Sequence, residues 1–164
     1  MKSNLNKVGL TITEFMVALV LLGILAVYLN MRSRMMAQQA RIKTIKAMAS
    51  RLRSDVDAIY TTCLATGIES SGKHIVTVNG RQIEVFNGYP AASASGVKQL
   101  LLDADYKISG GQIKFEVIND PGYSHTVMFE HIDAANRRGC GVKYVYDPNT
   151  HASPEIEIED NNCE

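Results

Sequence analysis

The 164-residue sequence predicts an α+β protein in which a long amino-terminal helix packs on a mainly antiparallel β-sheet. Three observations support this fold class. An unbroken apolar segment lies near the start, an amphipathic segment follows it, and the remainder holds short strand-like segments separated by turn residues. Together they describe one modest globular domain carried on a helix of membrane length.

The apolar segment runs from Leu10 to Leu29, which is 20 residues. As a helix it extends about 30 Å, the thickness of a bilayer core. We therefore predict a hydrophobic helix over residues 10–30. An ordinary secretory signal peptide and a plain signal anchor are the alternatives, and the bulky, basic residues 30–34 do not resemble a signal-peptide cleavage site.

Residues 31–66 form the predicted amphipathic part of the same helix, with Gly67 as its carboxyl-terminal cap. Apolar residues recur there at alternating steps of three and four, as on one face of a helix. The change from apolar on all sides to apolar on one face predicts two surroundings, first lipid or sister helices and then a packed sheet. The apolar positions are Ile42, Ile45, Ala49, Leu52, Val56, Ile59 and Cys63.

Residues 67–164 are predicted to form a globular β-sheet head. The strongest hairpin pattern has two alternating segments joined by Asn79-Gly80, because Asn-Gly supplies the positive φ angles of a tight turn. A second hairpin turns at Gly110-Gly111, and a short helix is expected over 95–103. The predicted strands cover residues 74–78, 81–86, 106–108, 113–117, 124–129, 142–146 and 156–158.

Charge is divided along the chain although its formal net value is zero. Residues 1–53 carry nine Lys/Arg against one acid, whereas residues 54–164 carry eight Lys/Arg against sixteen acids. The basic run suggests nucleic acid or anionic lipid as partners, but no aromatic residue is interleaved for base stacking. A solvated or subunit-facing helix surface is therefore favoured over nucleic-acid binding. The run comprises Arg32, Arg34, Arg41, Lys43, Lys46, Arg51 and Arg53.

No pattern in the sequence predicts a catalytic residue, a cofactor or a metal, so an enzyme is the least expected class. The Gly67–His74 segment approaches a phosphate-binding loop, but His74 stands in place of the magnesium-binding hydroxyl and the strand and helix are in the wrong order. Acids alternate with isoleucines over 155–160, as in a half-buried strand. A calcium site there remains an alternative, although the spacing of a calcium loop is missing.

The amino terminus carries a more specific pattern. A short leader containing Lys2 and Lys7 ends at Gly9, and Leu10, Thr11 and finally Glu14 follow at the start of the apolar segment. This pattern resembles the amino terminus of type IV prepilins and of the related pseudopilins. The resemblance implies that residues 1–9 are a leader cleaved between Gly9 and Leu10, and that Leu10 is then N-methylated. It also implies that Glu14 pairs with the terminal amine of a neighbouring subunit during assembly.

A narrower resemblance is to the mannose-sensitive haemagglutinin pilins, carried by Gly88-Tyr89-Pro90-Ala91-Ala92 and a late cysteine pair. It implies a pilus for surface attachment. In such an oxidising location Cys140 and Cys163 are expected to form a disulfide enclosing loop 140–163, as loops near the carboxyl terminus of type IV pilins do. Cys63, on the apolar face of the helix, is expected to be a buried free thiol.

The implied function is a structural subunit that polymerises through its amino-terminal helix into a type IV pilus. The implied partners are copies of itself, a prepilin peptidase and methylase, an assembly platform and minor pilins. The implied location is the inner membrane, with a cytoplasmic amino terminus, and then the extracellular pilus. A head outside the cytoplasm conflicts with the positive-inside rule, because basic residues follow the apolar span. The alternatives are a pseudopilin of a type II secretion system and a membrane-anchored DNA-binding minor pilin.

Overall fold

The computed structural model describes residues 11–68, 72–102, 113–120, 123–134, 139–150 and 152–163. The chain divides into two compact units, Met1–Ala37 and Gln38–Glu164, and each is described by itself. The predicted α+β class, a long helix with antiparallel sheets, is confirmed. The elements in chain order are α1 (Ile12–Thr66), β1 (Lys73–Val78), β2 (Arg81–Phe86), β3 (Tyr89–Pro90), α2 (Val97–Leu101), β4 (Ile113–Asp120), β5 (Tyr123–His131), β6 (Gly141–Val145) and β7 (Glu155–Glu159).

The part of α1 in the second unit buries one face, as the spacing of its apolar residues predicts. The buried residues are Ile45, Met48, Ala49, Leu52, Val56, Ile59 and Cys63. Met48 is buried although it was not among the predicted apolar positions, and Ile42, the first of those positions, is only partly buried. Cys63 is a buried free thiol, as expected.

Gly67 ends α1 as predicted. Its φ of 71° lies in the left-handed region that favours glycine. The Gly67 N–H donates to the Leu64 carbonyl at 3.2 Å, and the Ile68 N–H donates to the Cys63 carbonyl at 3.0 Å. This pair of hydrogen bonds is a Schellman motif, which satisfies carbonyls left unpaired at the helix end.

Within the described residues the strands form two antiparallel sheets, whereas the sequence suggested a single sheet. The three-stranded sheet has the order β1-β2-β3, and the four-stranded sheet has the order β4-β5-β6-β7. The three-stranded sheet ends at β3, which is two residues long and finishes with Pro90. Proline has no N–H with which to extend the ladder, so β3 ends the first sheet.

The first predicted hairpin is confirmed. Val78 lies opposite Arg81, and the turn residues Asn79 and Gly80 have φ angles of 51° and 78°. The second predicted hairpin is not described as a whole, because residues 103–112 include its first strand and its turn and lie outside the described part. Its second strand is β4, which pairs with β5.

The core consists of two clusters that share α1. The larger cluster joins α1 to α2 and the four-stranded sheet. The smaller one joins Ile59 and Cys63 to Val76, Ile83 and Val85 of the β1–β2 hairpin. Two tyrosine hydroxyls near the end of β6 add polar contacts between the sheets. The hydroxyl of Tyr144 donates to the Pro90 carbonyl at 2.6 Å, and that of Tyr146 donates to the Phe86 carbonyl at 2.8 Å.

Leu52→Ala is predicted to lower the free energy of unfolding of the head by about 2–5 kcal/mol, because Leu52 is fully buried and truncation leaves a cavity. Urea unfolding of the detergent-solubilised chain, followed by circular dichroism, measures this change. Ser50→Ala, at an exposed position of the same helix, is the control and should leave the urea midpoint nearly unchanged. Equal midpoints for the two variants would contradict the packing described.

Candidate functional site

The first unit exposes an almost continuous apolar helix surface. Among the described residues, α1 is the one helix long and apolar enough to cross a membrane, judged by length and composition. None of its most apolar 18-residue window is buried, whereas the core helix of a soluble protein is mostly buried. A signal sequence near the amino terminus meets the same criteria. The exposed large apolar residues in this unit are Ile12, Phe15, Met16, Val17, Leu19, Val20, Leu21, Leu22, Ile24, Leu25, Val27, Tyr28, Leu29, Met31, Met35 and Met36.

Glu14 takes part in a capping box at the start of α1. The backbone N–H and the hydroxyl of Thr11 each lie 2.8 Å from Glu14 Oε2 and donate to it. In return, the Glu14 N–H donates to the Thr11 hydroxyl oxygen at 3.3 Å. The Thr-x-x-Glu spacing of Thr11 and Glu14 is the sequence signal for this exchange. The helix start therefore holds the Glu14 carboxylate in place within a single chain.

The other two amino-terminal site residues, Gly9 and Leu10, lie outside the described residues. Glu14 is thus the one member of the predicted processing and assembly set with described geometry. Its side chain lies on an exposed helix turn, where a second molecule can reach it.

Cys140 and Cys163 form the expected disulfide. Their Cα atoms are 4.8 Å apart, 23 positions separate them in sequence, and both are fully buried. Beside the bridge the Asn162 N–H donates to the Gly139 carbonyl at 3.0 Å. A Cβ at position 139 would lie 2.7 Å from Asn162 Nδ2, so this close approach requires glycine.

Part of the basic run on α1 holds the carboxyl-terminal segment. Arg41 donates from Nη1 to the Cys163 carbonyl at 3.0 Å, and Arg53 donates from Nη2 to the Ile156 carbonyl at 2.9 Å. Lys46 Nζ lies 3.1 Å from Asp160 Oδ2. No spacing in the sequence pointed to these contacts, because their partners are more than 100 residues away.

These contacts weaken the case for the basic run as a nucleic-acid surface. Arg53 contacts β7, and Arg51 Nε lies 3.4 Å from Asp55 Oδ2, one helical turn further along α1. An exposed ion pair of this kind contributes only about 0–1 kcal/mol, so its main effect is to orient the side chains. Both arginines thus already have partners within the chain.

His131 lies beside the disulfide in a setting that favours its neutral form. The side chain is buried, and the His131 N–H donates to the Cys140 carbonyl at 2.9 Å. The Asp133 N–H points to Nδ1 at 3.4 Å, which requires that nitrogen to be unprotonated. Burial lowers the pKa of His131, and the Arg41 charge lowers it further, against an opposing effect of the Asp133 carboxylate.

A cleft of about 160 Å³ lies between α1, the β1–β2 hairpin and α2. The charged side chains that line it have partners within the chain: Arg51 pairs with Asp55, and Arg81 Nη1 donates to the Gln99 carbonyl at 3.0 Å. Burial raises the pKa of Asp55, and the neighbouring Arg51 opposes that shift. Within the described ranges, no group of three or more His, Cys, Asp or Glu side chains is arranged to hold a metal ion.

No protein-family model matches the chain, and no curated protein or solved structure matches it either.

Replacing both Cys140 and Cys163 with serine is predicted to lower the free energy of unfolding by about 3 kcal/mol, because the bridge restricts the unfolded chain. Urea unfolding with and without a thiol reductant measures the effect. Reductant should destabilise the wild-type protein and leave the double serine variant unchanged. Wild-type protein insensitive to full reduction would contradict a stabilising bridge.

The head is predicted to lose stability as pH falls below about 6.5, the pKa of a histidine in the unfolded chain. The unfolded state then binds a proton that folded His131 resists, so stability declines by up to about 1.4 kcal/mol per pH unit. Urea midpoints at pH 7.5 and pH 5.5 measure the loss. His131→Asn keeps a hydrogen-bond acceptor without a titrating ring and should show a smaller decline; an equal decline would assign the pH dependence to other groups.

Proposed function

We propose that this protein is the structural subunit of a type IV pilus, which polymerises through the amino-terminal part of α1. The observation that carries the proposal is an apolar helix surface exposed on all sides, with one carboxylate, Glu14, at its start. A plain membrane anchor accounts for the apolar surface but gives the acid no partner beyond its own helix cap. An acid within membrane-spanning sequence is unfavourable, and its cost on insertion scales reaches about 2.5–3.5 kcal/mol at the helix centre.

A neighbouring subunit supplies such a partner if the chain is cleaved after Gly9. Cleavage creates a positively charged amine at Leu10, and in a filament this amine of one copy meets Glu14 of the next. Pairing offsets the cost of burying both charges, since an isolated buried charge is strongly destabilising. The apolar surfaces of neighbouring helices then pack against each other in the filament interior.

The proposal places the precursor in the inner membrane with a cytoplasmic amino terminus and the assembled subunit on the cell surface. A prepilin peptidase and methylase process it, and an assembly platform with minor pilins incorporates it. The Cys140–Cys163 disulfide supports a location outside the reducing cytoplasm. We propose surface attachment as the role of the pilus, because Gly88-Tyr89-Pro90-Ala91-Ala92 resembles a segment of the mannose-sensitive haemagglutinin pilins. Abundance in sheared surface filaments would distinguish this pilin from a type II secretion pseudopilin.

Glu14→Gln is predicted to abolish filaments while preserving processing and the helix cap. Glutamine serves the capping box as well as glutamate does, so this variant removes the charge but keeps the cap. Filament yield is measured by immunoblot of the sheared surface fraction, and processing by the intact mass of the purified protein. The mass of wild-type protein should correspond to a chain beginning at methylated Leu10.

Thr11→Ala is the matched control, because it removes the threonine hydroxyl from the capping box and keeps the Glu14 charge. It should retain filaments. Abundant filaments from Glu14→Gln together with their loss in Thr11→Ala would show that Glu14 acts as a cap and not as an assembly partner. A working protein that retains residues 1–9 would contradict the proposal itself.

A further inference from the structure

An open groove runs along one face of α1 within the first unit. Its apolar part, of about 530 Å³, lies beside Gly23, where the missing side chain leaves open space. Its polar end, of about 430 Å³, reaches Asn30 and Arg34. Both parts are lined by Val27 and Met31, so they form one continuous surface. The groove is therefore apolar along most of its length and positively charged at one end.

Arg34 gives this groove its charge. The side chain is exposed, and no ion pair joins it to another described residue. The first unit contains one acid, Glu14, which lies at the opposite end of the apolar segment. The guanidinium of Arg34 thus has room for an anion that the first unit itself does not supply.

Arg32 lies close to Arg34 in sequence but on another side of the helix. Two positions correspond to a rotation of about 200°. Arg32 Nη1 donates to the Tyr28 hydroxyl at 3.1 Å, and Arg32 is not among the residues that line either part of the groove. The two arginines have the same charge and different surroundings, so they can be told apart by experiment.

The depth of Arg34 in a bilayer follows from helix geometry. In the membrane location proposed above, Leu29 ends the apolar span, and Arg34 follows five residues later, a rise of about 7.5 Å. The headgroup layer is about 5–7 Å thick on each side of the hydrocarbon core. Helix side chains lean toward the amino terminus, which here is toward the bilayer. The guanidinium therefore lies at the level of the lipid phosphates.

We propose that this groove binds one anionic phospholipid, with an acyl chain along its apolar part and the phosphate on Arg34 and Asn30. The inference rests on the membrane location in the proposed function. A guanidinium donates two parallel hydrogen bonds to a phosphate, and the Asn30 amide adds a donor beside it. The open space at Gly23 admits a hydrocarbon chain. A bound anion also neutralises a cation that the positive-inside rule disfavours outside the cytoplasm.

A helix of a second copy is the competing occupant, since small residues allow close helix packing in membranes. Charge favours the lipid. A parallel copy of the first unit brings its one acid, Glu14, to the far end of the apolar segment, whereas a phospholipid brings a negative charge to Arg34 itself. In the proposed filament the apolar surfaces of neighbouring helices pack together, so lipid binding belongs to the membrane form before assembly.

Native mass spectrometry of the purified full chain in mild detergent, titrated with phosphatidylglycerol and with phosphatidylcholine, tests this site. Wild-type protein should bind one phosphatidylglycerol per chain, roughly tenfold more tightly than the zwitterionic lipid. Arg34→Gln should weaken phosphatidylglycerol binding roughly tenfold, because it removes charge-assisted hydrogen bonds to the phosphate. Gly23→Leu fills the apolar part and should weaken the binding of both lipids at least roughly threefold.

Arg32→Gln is the matched control, because it removes the same charge from another side of the helix. It should weaken phosphatidylglycerol binding less than roughly threefold. Equal losses in the two arginine variants would assign the binding to diffuse attraction between charges and overturn the site. Equal wild-type affinities for the two lipids would overturn it as well, as would a dimer that depends on Gly23 and forms in place of the lipid complex.

Further measurements separate this site from folding and from the proposed function. All three variants should keep the wild-type urea midpoint, because their positions lie outside the second unit, which holds the core. Lipid binding through Arg34 by a protein that never enters filaments would support the site and overturn the pilus subunit. Normal filaments from a protein without lipid preference would overturn the site alone. Absence of the chain from the membrane fraction would overturn both.

Discussion

The burial of one face of α1 is the interaction on which the structure of the head depends. Among the described strands none belongs to both sheets, and each sheet contributes to a core cluster that is completed by α1. Ile45 and Leu52 belong to the larger cluster, and Ile59 and Cys63 to the smaller. Because one helix serves both clusters, a cavity at the middle of its buried face affects the support of both sheets. The hydroxyls of Tyr144 and Tyr146 add hydrogen bonds between the sheets.

The same segment of α1 has a second role on its polar side. Arg41, Lys46 and Arg53 contact the carboxyl-terminal segment at three separate points, and the disulfide closes that segment onto the start of β6. A contact to an exposed group adds little to the free energy of unfolding, so the disulfide restricts the carboxyl-terminal segment more than these contacts do. The cationic contacts decide where the constrained segment lies on the helix.

At the other end of α1, Glu14 forms a capping box in the structure, and the proposed function adds pairing with an amine of a second copy. The capping box requires only Thr11 of the same chain, and it is formed in the structure. Pairing with an amine requires a second copy and removal of the leader. The two uses are compatible, because the hydrogen bonds described involve only one of the two carboxylate oxygens. In the proposed filament, a carboxylate held by the cap would already be oriented toward the amine, which would reduce the entropy lost on pairing.

Local patterns in the sequence determined α1 and its buried face, the Gly67 cap, the Asn79-Gly80 hairpin, and strands β5, β6 and β7 near their observed limits. These features depend on helical spacing, glycine backbone freedom and turn residues, all of which act between near neighbours. The tertiary structure alone decided the division of the described strands into two sheets and the partners of Arg41, Lys46 and Arg53. Those contacts join residues far apart in sequence, and an arginine has the same local pattern whether it faces water or a distant carbonyl. The position of each cation could therefore be read from the chain, but its partner only from the fold.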